Sequence, residues 1–324
     1  MCVKNNKAIC IFFVDVGLFL IPFIIVSFVF DFYISDSISK SKKFALGEIN
    51  VWNDIETGKI DDEIYIYGSS RAWVHFDPEI IEEGLNMTTY NFGVDGHSFW
   101  IQYLRHKKLF LKKNKPKIII LSLGNFSLYK RPDLYNKDQF LPYVFDKDIR
   151  EFTKRYKGFS YFEYRLPMLR YFGRNKIIKQ SLFNEFSEEE IFRDKGFRGV
   201  NRTWTADFEK ARGSSNYIEV EIDEDSLILL EKFIEECTKE KVKLIFVFSP
   251  EYIEGQLFVR NRGDVIQTYK GLTNRNDIVF LDYSDDELCF EKKFFYNSQH
   301  LNSIGAKKFS EKLTEDLKRI LINN

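Results

Sequence analysis

The sequence predicts an α/β domain on a doubly wound parallel sheet, three layers deep, behind an N-terminal transmembrane helix. Three observations lead there. Short apolar runs, Glu63–Tyr67, Lys117–Leu123, Val242–Phe248 and Ile278–Leu281, are rich in β-branched and aromatic residues, as strands covered on both faces are. Helical patterns alternate with them: one begins near Pro78, and one runs from Ser98 to Leu111. A third puts Leu227, Leu230, Ile234 and Cys237 on one face, and the last aligns Ala306, Phe309, Leu313, Leu317 and Ile320. Alternation of strand and helix is the signature of a parallel sheet whose ligands gather at the strands' carboxyl ends.

The third observation is the stretch Ala8–Phe30, apolar except for Asp15. Its roughly 23 residues, at about 1.5 Å each, cover the ~30 Å hydrocarbon core of a bilayer. No small-residue exit follows it: Ser27–Ser35 offers bulky Phe, Val and Tyr, so the segment reads as a retained anchor rather than a cleaved leader. Lys4 and Lys7 precede it and Lys40, Lys42 and Lys43 follow, so charge counting leaves both orientations open.

The domain plan is therefore an anchor over residues 1–34, a stalk or linker over 35–60 that also suits a first amphipathic helix leading to the domain, and a catalytic domain over 61–324. Residues 126–223 break the strand–helix rhythm with dense aromatics among Arg and Lys, too long for a plain loop, and read as an inserted cap subdomain. The 48 basic and 48 acidic residues cancel, which removes the general field that recruits nucleic acid. The 33 Phe and 17 Tyr offer apolar or sugar-stacking surface. Cys2, Cys10, Cys237 and Cys289 show no metal-binding spacing, no His/Asp/Glu cluster does either, and no cofactor motif occurs, so neither a metal nor a cofactor is expected. Cys237 and Cys289 read as unpaired buried thiols.

Polar clusters follow three of the strands at once: Gly68-Ser69-Ser70, Gly124-Asn125 and Ser249-Pro250. Acyl transfer at neutral pH needs a hydroxyl nucleophile, an imidazole to take its proton, and donors aimed at the developing oxyanion. Ser70 stands where a strand turns toward a helix, which exposes the hydroxyl. His300 precedes the terminal amphipathic helix and is the candidate base. His75 and His106 have weaker cases, and His97 is the candidate accessory contact.

On these residues the chain resembles the SGNH (GDSL-like) hydrolase superfamily, over residues 63–309 without the insertion. The resemblance implies an SGNH hydrolase-like, flavodoxin-like sheet. Its first block, ordinarily Gly-Asp-Ser, reads Gly68-Ser69-Ser70 and makes Ser70 the nucleophile. The second matches Asn91-Phe92-Gly93-Val94-Asp95-Gly96-His97-Ser98, with Gly96 the better-spaced oxyanion donor and Gly93 the second. The third matches only at Asn125, a side-chain donor. The last, ordinarily Asp-x-x-His, reads Asn297-Ser298-Gln299-His300, so an amide stands behind the base, an arrangement expected to be slow but not dead.

Within that superfamily the anchor, the GSSRA and NFGVDGHS segments and the aromatic insertion are similar to the exported polysaccharide O-acyltransferases and the lipoteichoic-acid D-alanylation protein. That likeness implies a single-pass protein of the cytoplasmic membrane with its catalytic domain outside. It implies O-acyl, most simply O-acetyl, transfer or ester cleavage on a glycan or acylated polysaccharide, beside a multi-spanning membrane acyltransferase. The alternative is a subunit of the same fold that binds glycan with little or no chemistry.

Overall fold

The computed structural model describes residues 2–42, 44–58, 60–110, 115–183, 185 and 192–322; Lys43, Leu111 and parts of the insertion (184, 186–191) lie outside them. Five strands, β1 Ile64–Tyr67, β2 Thr89–Asn91, β3 Ile118–Leu123, β4 Lys243–Phe248 and β5 Val279–Asp282, form one sheet in the order β2-β1-β3-β4-β5. Every neighbouring pair is parallel. This is the doubly wound order in which winding reverses between β1 and β3 and opens a crevice at the carboxyl ends. A separate antiparallel pair, β6 Phe295–Asn297 and β7 His300–Leu301, forms a small hairpin.

The helices are α1 Cys2–Lys40, α2 Glu48–Thr57, α3 Ser70–His75, α4 Pro78–Leu85, α5 Phe99–Phe110, α6 Lys147–Thr153, α7 Asn175–Phe183, α8 Asp207–Ser214, α9 Glu224–Lys239, α10 Ile253–Phe258, α11 Arg262–Asn276 and α12 Ser303–Ile322. Strand side chains alternate between two cores, as the period of two requires. Ile64, Ile66, Ile118, Ile120, Ile245 and Val247 enter the core closed by α3, α4 and α12. Tyr65, Tyr67, Ile119, Leu121, Leu244 and Phe246 enter the core closed by α2, α5, α9 and α11. The helices on each face carry the matching apolar stripe. α12 buries Ala306, Phe309, Leu313 and Leu317, and Asn302 Oδ1 caps its first turn by accepting from Gly305 N at 3.0 Å.

Two parts of the chain differ from their sequence expectation. Residues 35–60 are not a stalk: α1 continues through Lys40 with Ile34 and Ile38 buried, and α2 buries Ile49, Val51, Trp52 and Ile55 in the main core. The insertion is not a separate unit either. Its Leu128, Leu134, Phe140, Ile149, Phe152 and Tyr171 belong to the same core as the strands, so 126–223 is a built-in wall of one domain. Within the insertion, α6 and α7 are short and are joined by turns and 3-10 segments, which is why no strand–helix rhythm is visible there.

α1 is long and apolar enough to cross a membrane, and its apolar side chains from Ile9 to Phe30 are exposed. Burial begins at Asp31 on one face of the helix, while Phe32 and Tyr33 stay exposed on the other. Asp31 is buried and paired with Arg170, and Ser35 Oγ lies 2.7 Å from Tyr171 Oη, so one continuous helix leaves the apolar stretch and enters the domain.

Candidate active site

Gly68 ends β1 and lets the chain turn into α3 at close quarters: a Cβ there would lie 2.7 Å from Ala72 Cβ and 2.8 Å from Ser122 Cβ. Ser69 is the N-cap of α3 yet makes no side-chain capping bond, and Ser70 is the first helical residue. Neither serine is spent on capping. Ser70 Oγ lies 2.7 Å from His300 Nε2, across 230 residues of sequence.

The hairpin of β6 and β7 supplies the imidazole and its support. Asn297 Oδ1 accepts from Gln299 N and His300 N, each at 3.0 Å, and lies 2.9 Å from His300 Nδ1. Two backbone N–H donors fix which amide atom is the oxygen, because an NH2 cannot accept from them. Nδ1 must therefore carry the proton, and Nε2 presents a lone pair to the Ser70 hydroxyl. The Tyr296 ring stacks on His300 at 5.3 Å with an interplanar angle of 8°. Burial, with the Arg71 charge adding to it, pushes the His300 pKa down to about 3.

Behind His300 stands His75, fully buried. Its Nε2 accepts from Leu301 N at 2.9 Å, so its Nδ1 donates to Ser249 Oγ at 3.0 Å. His75 thus ties α3, the end of β4 and the His300 hairpin together as a neutral ring. Burial first, then His300 and Arg71, hold its pKa well below the usual histidine value.

The expected oxyanion donors divide. Gly96 adopts φ +67, the left-handed region that favours glycine, under the Tyr135 ring, and it lines the same cleft as Ser70 and Asn125. Gly93 does not offer its N–H, which donates to Asn91 Oδ1 at 2.9 Å inside the turn. Its place is structural. Asn125 Nδ2 donates to Glu251 Oε2 at 2.9 Å, which leaves the second amide hydrogen unused by Glu251. His97 lines the same cleft, with Nε2 2.9 Å from the Tyr135 carbonyl and Nδ1 buried without a partner among the described residues; burial lowers its pKa to about 4. His106 lies instead in the core beside Glu236, 3.4 Å away.

Charged groups that sequence reasoning passed over hold this rim. Glu251, buried just past β4, is 3.8 Å from Arg71 and 3.9 Å from Arg262. Burial raises its pKa, against the two guanidiniums and the Asn125 bond. Glu48, on α2, pairs with both Arg105 and Arg193 and accepts from Asp95 N at 2.8 Å. The two arginines in turn donate to the Gly93 carbonyl at 2.9 and 2.8 Å, so one buried carboxylate clamps the whole 92–96 turn. Glu251 has a sequence signal, since it follows the Ser249-Pro250 rim position directly. Glu48, Arg105 and Arg193 have none, being scattered over 145 residues.

Two clefts meet at Ser70. One, of 470 Å³, runs past Gly96, Asn125, Phe126, Tyr129 and Arg131. The other, of 420 Å³, lies on the His300 side against Trp73, Tyr135, Arg198, Arg202 and Tyr296. Both walls draw on the insertion. The Ser70 hydroxyl, bonded to His300, therefore stands between two rooms.

No family model matches the chain, and no curated protein does. Among solved structures it is similar to a Streptococcus pneumonia protein provisionally assigned as a platelet activating factor, at 13% identity over 83% of this chain and 90% of that one, with a TM-score of 0.44. It is also similar to an acetyl xylan esterase, at 12% identity over 78% and 98% of the chains and a TM-score of 0.40. A GDSL-like lipase from Bacteroides thetaiotaomicron shares 10% identity over 83% and 98%, with a TM-score of 0.37. Identity this low says nothing of substrate. The chemistry follows from the side chains alone.

Proposed function

We propose that the chain is a membrane-anchored serine acyl-transfer enzyme of the SGNH type that moves an O-acyl group, most simply acetyl, to or from a cell-surface polysaccharide. The observation that carries the reading is the Ser70–His300–Asn297 relay, with the imidazole held in the tautomer a general base needs. Ser70 Oγ attacks the acyl carbonyl as Nε2 takes its proton. The tetrahedral oxyanion is received by the N–H groups of Ser70 and Gly96 and the free Asn125 amide hydrogen. Collapse expels the alkoxide, to which the imidazolium returns the proton, and leaves an acyl-Ser70 ester. A sugar hydroxyl or water then repeats the sequence in reverse, with His300 again as base.

Transfer is favoured over plain hydrolysis by the two clefts that meet at Ser70, since donor and acceptor need separate rooms on either side of the nucleophile. Tyr129 in one cleft, and Trp73 and Tyr296 in the other, are faces on which sugar rings stack. The exposed apolar stretch of α1 supports a single-pass anchor; on this reading the membrane is the cytoplasmic one and the domain lies outside, where a multi-spanning acyltransferase would supply acyl groups. The reaction as written needs neither a metal nor a cofactor.

The test is release of aryl alcohol from an aryl acetate by the full chain in detergent, with and without acceptor oligosaccharide. Acetylated oligosaccharide in the product identifies a transferase, and acetate alone identifies an esterase. If Ser70→Ala and His300→Ala keep wild-type turnover, the mechanism is wrong. A second reading, a glycan-binding subunit without chemistry, is favoured by the missing carboxylate behind His300. A fluorophosphonate probe that leaves the folded wild-type chain unlabelled selects it.

A further inference from the structure

A further cleft, of 530 Å³, lies away from Ser70. It lies between α6 and the 159–165 turn, lined by Lys147, Arg150, Lys154 and Arg165 with Tyr161 and Tyr164, and its one acidic residue is Glu151. Among the described residues none of these four cations has a carboxylate within 4.0 Å. Tyr164 is buried with its Oη 2.9 Å from Thr153 Oγ1, and the exposed Arg165 guanidinium sits 3.6 Å over the exposed Tyr161 ring and donates to the Tyr161 carbonyl at 3.2 Å. An open cleft with surplus positive charge and amphipathic aromatic walls fits a phosphate-bearing headgroup.

Its place in the molecule says which one. The exposed apolar stretch of α1, Ile9 to Phe30, has roughly 22 residues and a length of about 33 Å, close to the ~30 Å hydrocarbon core. Asp31 then falls at the boundary of that core, and the headgroup layer adds roughly 5–8 Å beyond it. Asp31 Oδ2 accepts from Met168 N at 2.8 Å and its carboxylate pairs with Arg170. The 160–172 segment is thereby pinned at the level of the headgroups. Arg165 is three residues from Met168, at most about 11 Å away along the chain. The same segment exposes Phe162, Leu166 and Phe172, the last with 82% of its surface free. Exposed aromatics beside cations that have no carboxylate partner among the described residues, next to where a membrane helix ends, form an interfacial belt.

We propose that residues 160–172 together with the Lys147/Arg150/Lys154/Arg165 cavity form a foot that docks on the bilayer, with Phe162 and Phe172 entering the interface and the cavity taking the headgroup phosphate of an anionic lipid. The inference rests on the anchor reading above. Two contacts, α1 and the foot, then hold the domain in one orientation, so that Ser70 works at a fixed height above the surface.

The experiment uses the full chain in proteoliposomes of phosphatidylcholine with and without phosphatidylglycerol. Cys2 and Cys10 are replaced by serine, and the buried Cys237 and Cys289 stay unlabelled. A fluorophore is placed in turn at Phe19→Cys, Phe172→Cys and Ile228→Cys, and quenched by spin-labelled lipid or aqueous iodide. Lipid is expected to quench the labels at 19 and 172 and not the label at 228. A label at 172 that only iodide quenches, with 19 quenched by lipid, overturns the foot while leaving the anchor standing. A label at 19 that lipid does not reach overturns both. A label at 172 shielded from lipid and iodide alike shows that protein covers the foot, and overturns it too. For the cavity, the immobilised fraction of spin-labelled phosphatidylglycerol should exceed that of phosphatidylcholine roughly fivefold, about what one screened surface cation contributes. Replacing the four cations by glutamine should abolish that preference; an unchanged preference removes the cavity from the proposal.

Discussion

Asn297 Oδ1 accepts the Nδ1 proton of His300 at 2.9 Å while also accepting the backbone N–H groups of Gln299 and His300. In a serine protease, replacing the supporting Asp by Asn costs about four orders of magnitude, chiefly because the base then sits in the wrong tautomer. The hairpin here forbids that outcome, since turning the amide over would set its NH2 against two backbone donors. Asn297 supplies orientation and tautomer. It does not supply the negative charge that steadies an imidazolium.

Substitution at this position separates the two contributions. Asn297→Asp keeps all three accepted hydrogen bonds and adds the charge, so kcat/KM toward an aryl acetate at neutral pH should rise roughly tenfold, as a better-supported base predicts. Asn297→Leu removes both contributions and should lower it by about a hundredfold or more. An Asp variant no faster than wild type would mean that charge behind the ring is irrelevant to the rate.

The pH profile carries the same signature. His300 is pushed down to about 3, so the neutral ring that the proposed mechanism needs persists far below the ordinary histidine value. Wild-type kcat/KM should stay level from neutrality to about pH 5, and Asn297→Asp should bring an acid limb up into that range. Stability moves the other way. His75, His97 and His300 have lowered folded pKa values, so below about 6.5 the unfolded chain binds more protons and folding weakens as pH falls. Initial rates, read before unfolding, distinguish the two. A wild-type limb near 6.5 would place His300 in a more solvated setting than the geometry gives it.

Asn125 tests the oxyanion assignment. One amide hydrogen is taken by Glu251, and among the described residues no acceptor holds the other, at the cleft that Ser70 and Gly96 also line. Asn125→Ala should lower kcat by about 10²–10³ with little change in KM, the pattern for a donor that acts in the transition state. Equal losses in fluorophosphonate labelling rate would support the role. A change in KM alone would make Asn125 a ground-state contact.

The reach of the sequence follows the physics of each feature. Four of the sheet's strands were legible because strands buried on both faces are continuous apolar runs; β2, only Thr89–Asn91 at the sheet edge, leaves no such run. α11 escaped because two glycines and many polar residues dilute its apolar face, although Val265, Ile266, Tyr269 and Leu272 are buried at helical spacing. Ser70, His300 and Asn297 were legible because each sits in a short local motif. Gly93 misled for the same reason: a glycine in the right motif says nothing of where its N–H points. The clamp on the 92–96 turn was invisible because it is tertiary, made by charges from α2, α5 and the insertion, and α2 itself read either as a stalk or as an amphipathic helix leading to the domain.

That clamp yields the prediction that most separates a core element from a stalk. Glu48 is fully buried between Arg105 and Arg193 and accepts from Asp95 N. Burial alone would raise its pKa, but the Arg193 and Arg105 charges and the Asp95 hydrogen bond outweigh it and hold the carboxyl below its usual value of 4.5. A carboxyl with a depressed folded pKa stabilises the fold above its unfolded value and loses that contribution as pH falls through the folded one. Glu48→Gln leaves two buried guanidiniums without a counter-charge and should cost about 3–5 kcal/mol in urea unfolding at neutral pH. The cost should shrink at acid pH, where the wild-type carboxyl is protonated too. Because Arg105 and Arg193 also hold the Gly93 carbonyl, the variant should lose aryl acetate turnover in urea-free buffer while still folded, through displacement of the turn that carries Gly96. A Glu48→Gln chain with wild-type stability and turnover would show that the Glu48 charge does not hold the 92–96 turn.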